Sequence, residues 1–208
     1  MSIIQELASQ TGERGGEANR RAAFKCLENP ALFADIVSSL TSKDANLAAD
    51  CCEVLTEAAK LEPVAVAPYG QHLPVMFAHK SGRAQWEAMH CFALIAPLIP
   101  EIVKPLLPRL MEIIRTNKGV IVRDYAIDAV GNYAKSGKDA ASAAFPLLKE
   151  SLQVWEGRHA VHGLEGLLHV LPHLPSANEE IYQIAFSFQD NKSASIKKAA
   201  KKLAKACA

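Results

Sequence analysis

At 208 residues, half of them apolar, the chain is long enough to bury a packed core and too apolar to be disordered throughout. Its 34 Ala and 22 Leu against 7 Phe, 4 Tyr and 2 Trp favour helix and argue against an all-β fold. With 23 basic and 22 acidic side chains, the near-zero net charge excludes a uniformly basic surface of the kind that grips nucleic acid over its whole area.

In chain order, the N-terminus opens on Ile3 and Ile4 but meets Glu6 before any apolar run develops, so it does not read as a signal peptide. The longest apolar stretch, Cys91 to Val103, is broken by Pro97, Pro100 and Glu101 and is too short to span a bilayer. Cys26, Cys51, Cys52, Cys91 and Cys207 form an odd set with no C-x-x-C spacing, which suggests buried thiols rather than a disulfide framework or a zinc site. Together these features predict a soluble, cytoplasmic protein without a cofactor.

Repeats organise the rest. Pro63 and Pro100 lie 37 residues apart, as do Pro68 and Pro105, and Pro108 and Pro146 lie 38 apart. Apolar residues upstream keep the same register: Cys52, Leu55, Ala58 and Leu61 map onto Met89, Phe92, Ile95 and Leu98. Each unit reads as two helices, the first opening after a polar break such as Ser42-Lys43-Asp44 or Lys80-Ser81-Gly82. The expected pairs cover about 16–41, 44–79, 82–116, 119–155 and 157–190, followed by a terminal helix at 193–208, all within one domain. Val122, Ala126, Ala129, Val130 and Tyr133 make the apolar stripe of the fourth pair, with Arg123, Asp124 and Asp128 off it. Pro105 and Pro108 predict either a kink in the second helix of the third pair or a start near Lys104.

The run from Gly119 to Gly131, which reads Gly-Val-Ile-Val-Arg-Asp-Tyr-Ala-Ile-Asp-Ala-Val-Gly, resembles the opening helix of a HEAT unit. Pro105 to Met111 resembles its second helix. The chain is thus similar to the HEAT and armadillo α-solenoids. The resemblance implies an all-α fold, a right-handed α-α superhelix of about five helical hairpins plus a C-terminal helix. It also implies a non-catalytic scaffold that binds a protein or peptide along a concave face built by the second helices. The residues expected on that face are Tyr69, His72, Met76 and His79 in the second pair, Lys104, Glu112 and Arg115 in the third, and Glu150 and Gln153 in the fourth. Ala49-Asp50 departs from the family pattern, which usually has a basic residue there, and leaves HEAT and armadillo subtypes open.

Three further clusters carry candidate chemistry. His159, His162, Glu165, His169 and His173 share one face at helical spacing, and His162, Glu165 and His169 are the metal candidates within it. No second ligand-bearing helix is identifiable, so a solvated face or a row packed on a neighbouring hairpin is the expected alternative. Iron-binding HEAT hydroxylases use His-Glu dipeptides, and none occurs here. HEAT-like DNA glycosylases combine a carboxylate with tryptophans in a basic groove. This chain offers Trp86 and Trp155 beside Glu87 and Glu156 without such a basic surround, so that activity is not expected. Residues 192–208 hold six lysines and no acid, leaving 17 basic against 22 acidic side chains in residues 1–191. A body of charge −5 therefore carries a tail of +6. Lys197, Lys198, Lys201, Lys202 and Lys205 surround the polar side of an amphipathic helix whose apolar stripe is Ile196, Ala199, Ala200, Leu203 and Cys207. A capping helix with a soluble face is one reading, and a basic surface for an acidic partner, whether nucleic acid, an anionic membrane surface or an acidic protein tail, is the other.

Overall fold

A computed structural model describes residues 2–208. Every regular element among them is helical: α1 (Ala8–Thr11), α2 (Glu17–Glu28), α3 (Phe33–Ser38), α4 (Ala45–Leu61), α5 (Pro63–Val66), α6 (Gly82–Ile95), α7 (Pro100–Thr116), α8 (Val120–Tyr133), α9 (Lys138–Ser151), α10 (Ala160–Val170), α11 (Asn178–Ser187) and α12 (Ala194–Cys207), with short 3-10 segments between several of them. The chain forms two compact units that meet in sequence at Ile99 and Pro100.

In the first unit, α4 packs between α2 and α6. The middle helix explains itself from sequence: Asp44 caps it by accepting from the backbone N–H groups of Asn46 and Leu47, and Cys51, Cys52, Val54, Leu55 and Ala58 are fully buried. Ser81 caps α6 in the same way through the N–H of Ala84. Ahead of the first expected pair, Ile3 and Leu7 fold into the core at 2% and 0% exposure. No element was expected before residue 16, since two isolated apolar residues define no period. Each buried side chain of that size stabilises by about 1.5–3 kcal/mol.

The second half of the second pair departs from expectation. Instead of one α-helix, α5 gives way to 3-10 segments at Ala67–His72 and Pro74–Ala78. Pro68 and Pro74 each remove a backbone donor, which interrupts i to i−4 bonding and favours the tighter turn. Gly70 packs closely there: a Cβ would lie 2.7 Å from the Ile99 Cδ1, so a larger residue would push that side chain aside.

In the second unit, α8 packs against α7, α9 and α10, and α12 packs against α10 and α11. Of the two expected alternatives, the start near Lys104 is not the one found: α7 begins at Pro100 and holds both internal prolines. Pro105 and Pro108 leave the carbonyls of Glu101 and Lys104 without their intrahelical donors, and these two residues are exposed, so water can serve instead. The stripe Val122, Ala126, Ala129, Val130 and Tyr133 is buried as expected, but Arg123 is buried as well, at 3%. The helices α8 and α10 meet where two glycines face each other, a Cβ on Gly131 falling 2.7 Å from the Gly166 Cα.

Candidate functional site

Of the residues expected on a shared second-helix face in the first unit, only Tyr69 and His72 line one surface. They border a groove of about 630 Å3 together with Val37, Leu40, Thr41 and Val75. Tyr69 is positioned by its ring, 5.2 Å from that of Phe33, and by its hydroxyl, which lies 3.5 Å from the carbonyl of Pro30. Val75 is 58% exposed at the groove edge, and no lining residue carries a formal charge. Met76 is corrected: it is 1% exposed and packs inward, because the 3-10 path turns it off the face an α-helix would have given it. His79 instead organises the turn into α6, its Nδ1 accepting from the Ser81 N–H and its carbonyl from Gln85.

In the second unit, Lys104 borders a shallow depression with Glu101 and the 136–140 turn. Arg115 and Glu150 are bound to each other through two hydrogen bonds of 2.6 and 2.7 Å, which holds α7 to α9. Glu112 and Gln153 are exposed.

A second recess in the first unit, of about 450 Å3, was not anticipated from sequence. Its floor is Asp50, fully buried, which accepts from the Ser9 N–H at 2.7 Å, from Asn19 Nδ2 at 3.0 Å and from Arg83 Nη2 at 2.7 Å. Burial alone would raise its pKa, but these hydrogen bonds outweigh it and hold the carboxyl below the ordinary value. Arg83 also binds Glu53, so the recess already contains its own guanidinium. Beside it, burial and the neighbouring charge of Glu53 push Glu87 up to about 7. Trp86 and Glu87 share this recess, whereas Trp155 belongs to the second unit. The one sequence signal was Asp50 itself, an acid flanked in α4 by Ala48, Ala49, Cys51 and Cys52.

The histidine row is not a solvated face. His159 is 1% exposed, its Nδ1 lies 2.6 Å from Asp124, and its Nε2 accepts from Arg123 Nε at 2.8 Å. That acceptance requires a neutral ring with its proton on Nδ1. His162 Nδ1 lies 2.7 Å from Asp128, and His169 Nδ1 lies 3.1 Å from the Gly131 carbonyl, so three of the rings bind α8. His173 is half-buried and Glu165 exposed. Sequence placed Arg123, Asp124 and Asp128 off the apolar stripe but could not show that another helix covers that side. Arg123 also stacks 3.9 Å above the ring of Trp155, whose Nε1 donates to the Ile114 carbonyl. These contacts hold Trp155 and Glu156 at φ 53° and 59°, a left-handed conformation that costs on the order of 1–3 kcal/mol per residue.

Titration of Glu87 and His169 acts in opposite directions. Glu87 binds its proton more tightly folded than unfolded, so its contribution is present below about pH 4.5 and is lost as pH rises through about 7. At about 1.4 kcal/mol per unit, Glu87→Gln should gain on the order of 3 kcal/mol over wild type at pH 8, measured by urea unfolding. An unchanged difference between pH 5 and 8 would contradict this. Burial, with Lys135 nearby, pushes His169 down to about 4, so its contribution is present above pH 6.5 and is lost as pH falls toward 4. His169→Asn, which keeps the donor to Gly131, should flatten unfolding stability across that acid window.

Four cysteines are buried, and burial pushes the Cys26 and Cys51 thiols up to about 12, which makes them unreactive apolar filling. Lys198, Lys201, Lys202 and Lys205 of α12 are exposed and Lys197 is half-buried, while Ile196, Ala199, Ala200 and Leu203 are buried. No helix among the described residues is long and apolar enough to cross a membrane.

The sequence matches no protein-family model and no curated protein. Solved structures do match. A designed armadillo repeat protein is 14% identical, with a TM-score of 0.72 over 99% of this chain and 98% of that one. A second, crystallised in complex with the peptide (KR)4, is 14% identical with a TM-score of 0.74 over 99% and 98%. An engineered protein is 16% identical with a TM-score of 0.71 over 100% and 97%. The fold is therefore an all-α solenoid of the armadillo and HEAT type.

Proposed function

We propose that the protein is a non-catalytic scaffold that binds an extended segment of a partner protein, and that the groove beside Tyr69 takes an apolar side chain of that segment. The observation that carries this reading is the uncharged, open groove with Val75 and Tyr69 presented at its edge. Its volume leaves ample room for an apolar side chain and the backbone that carries it, and an apolar anchor in such a pocket is how interfaces concentrate their binding energy. The fold supports the same reading: one of the structural neighbours is a designed armadillo protein in complex with a peptide. That peptide is basic. Here the acidic recess already holds Arg83, so a basic side chain would have to displace an internal ion pair, which favours the uncharged groove as the docking point.

Selection of a random peptide library on the immobilised protein tests the proposal. Enriched peptides should carry a spaced apolar residue and should lose at least tenfold in affinity toward Val75→Glu. A library that yields no enrichment, or peptides that bind Val75→Glu as well as wild type, would refute it.

A further inference from the structure

The C-terminal helix gathers five lysines that stand outside the ion pairs of the fold. Arg20, Arg21, Lys25, Lys60, Arg83, Arg115 and Lys149 each pair with a carboxylate. Among the described residues, Lys197, Lys198, Lys201, Lys202 and Lys205 form no ion pair. At 100° and 1.5 Å per residue these five lie within an arc of about 140° along about 12 Å of helix. They stand opposite the stripe of Ile196, Ala200 and Leu203 that is buried in the second unit.

We infer that the lysine face of α12 is a docking surface for the phosphate backbone of double-stranded nucleic acid, bound without regard to sequence. Charge complementarity points to a polyanion, and the makeup of the face selects among polyanions. The exposed residues of α12 are lysine, serine and small alanines, with no aromatic, methionine or arginine. Protein interfaces are enriched in those absent types and depleted in lysine, so an acidic protein segment would find no anchor. A membrane surface would need apolar side chains to insert, and those of this helix are already covered by the fold. Without aromatics the helix offers no platform for unstacked bases, and without arginine, asparagine or glutamine it has no bidentate reader of base edges. What remains is a set of ammonium point charges spread over a width and length that suit successive phosphates.

The test is anisotropy titration of the full chain with a fluorescent 20-base-pair DNA duplex between 50 and 200 mM salt, with anionic vesicles and a poly-glutamate peptide as parallel probes. Wild type is expected to bind the duplex with a log-log salt slope of about −4.5, as five phosphate contacts require. The triple variant Lys198→Gln, Lys201→Gln, Lys202→Gln should bind at least tenfold more weakly at 50 mM with a slope of about −2, while its circular dichroism melt stays that of wild type. If the variant melts earlier, Lys198→Arg with Lys201→Arg and Lys202→Arg must bind the duplex as wild type does. No duplex binding at 50 mM, a variant slope equal to that of wild type, or tighter binding of poly-glutamate or vesicles than of duplex would each overturn the inference.

Discussion

Asp50→Ala is expected to be the most damaging polar substitution in the recess, costing about 3 kcal/mol in urea unfolding at pH 7. The carboxylate is fully buried, and its removal orphans the Ser9 N–H and one of the two Nδ2 hydrogens of buried Asn19, which keeps its bond to Glu53 through the other. Each unsatisfied buried donor costs about 1–3 kcal/mol, and Arg83 loses one of its two carboxylates as well. Asp50→Asn should cost less, since its amide oxygen still accepts from one of these donors. If Asp50→Ala unfolds within about 0.5 kcal/mol of wild type, the recess is an ordinary solvated surface and the network contributes nothing.

Gly131→Ala should destabilise the second unit by about 2 kcal/mol although it replaces a helix breaker by the best helix former. Alanine gains about 1 kcal/mol in propensity at a helical position. Against this, its Cβ would meet the Gly166 Cα at 2.7 Å, and backbone cannot rotate aside, so α8 and α10 must separate. Overpacking of that kind costs about 1–3 kcal/mol, and the opened junction also stretches the bond from His169 to the Gly131 carbonyl. Gly82→Ala supplies the contrast: nothing lies within 4 Å of its Cβ, so it should be neutral or stabilising. Equal effects of the two substitutions in thermal melts would contradict the close approach.

The helices were legible wherever a helical period coincided with burial on one side only. The stripe of α12 reads directly as Ile196, Ala199, Ala200 and Leu203, and the polar break at Asp44 reads directly as a cap. Legibility fell where burial is two-sided. On α8, Arg123, Asp124 and Asp128 look solvated until α10 arrives and sets His159 and His162 against them. A sequence pattern records polarity, not which neighbour satisfies it. The candidate face of Tyr69, His72, Met76 and His79 failed for another reason, since it assumed 3.6 residues per turn across a segment whose prolines impose a 3-10 path. Only Tyr69 and His72 survive on a common groove. The facing glycines Gly131 and Gly166 were unreadable as a pair because their closeness depends on the stacking of two helices 35 residues apart in sequence.

Hydrogen–deuterium exchange of the full chain, with and without a library-selected peptide, tests the proposed scaffold most directly. The account predicts slowed exchange confined to the walls of the groove, residues 33–41 and 67–76, with the rest of the chain unchanged. Protection centred on the Asp50 recess, or spread over the second unit with the groove unaffected, would contradict it.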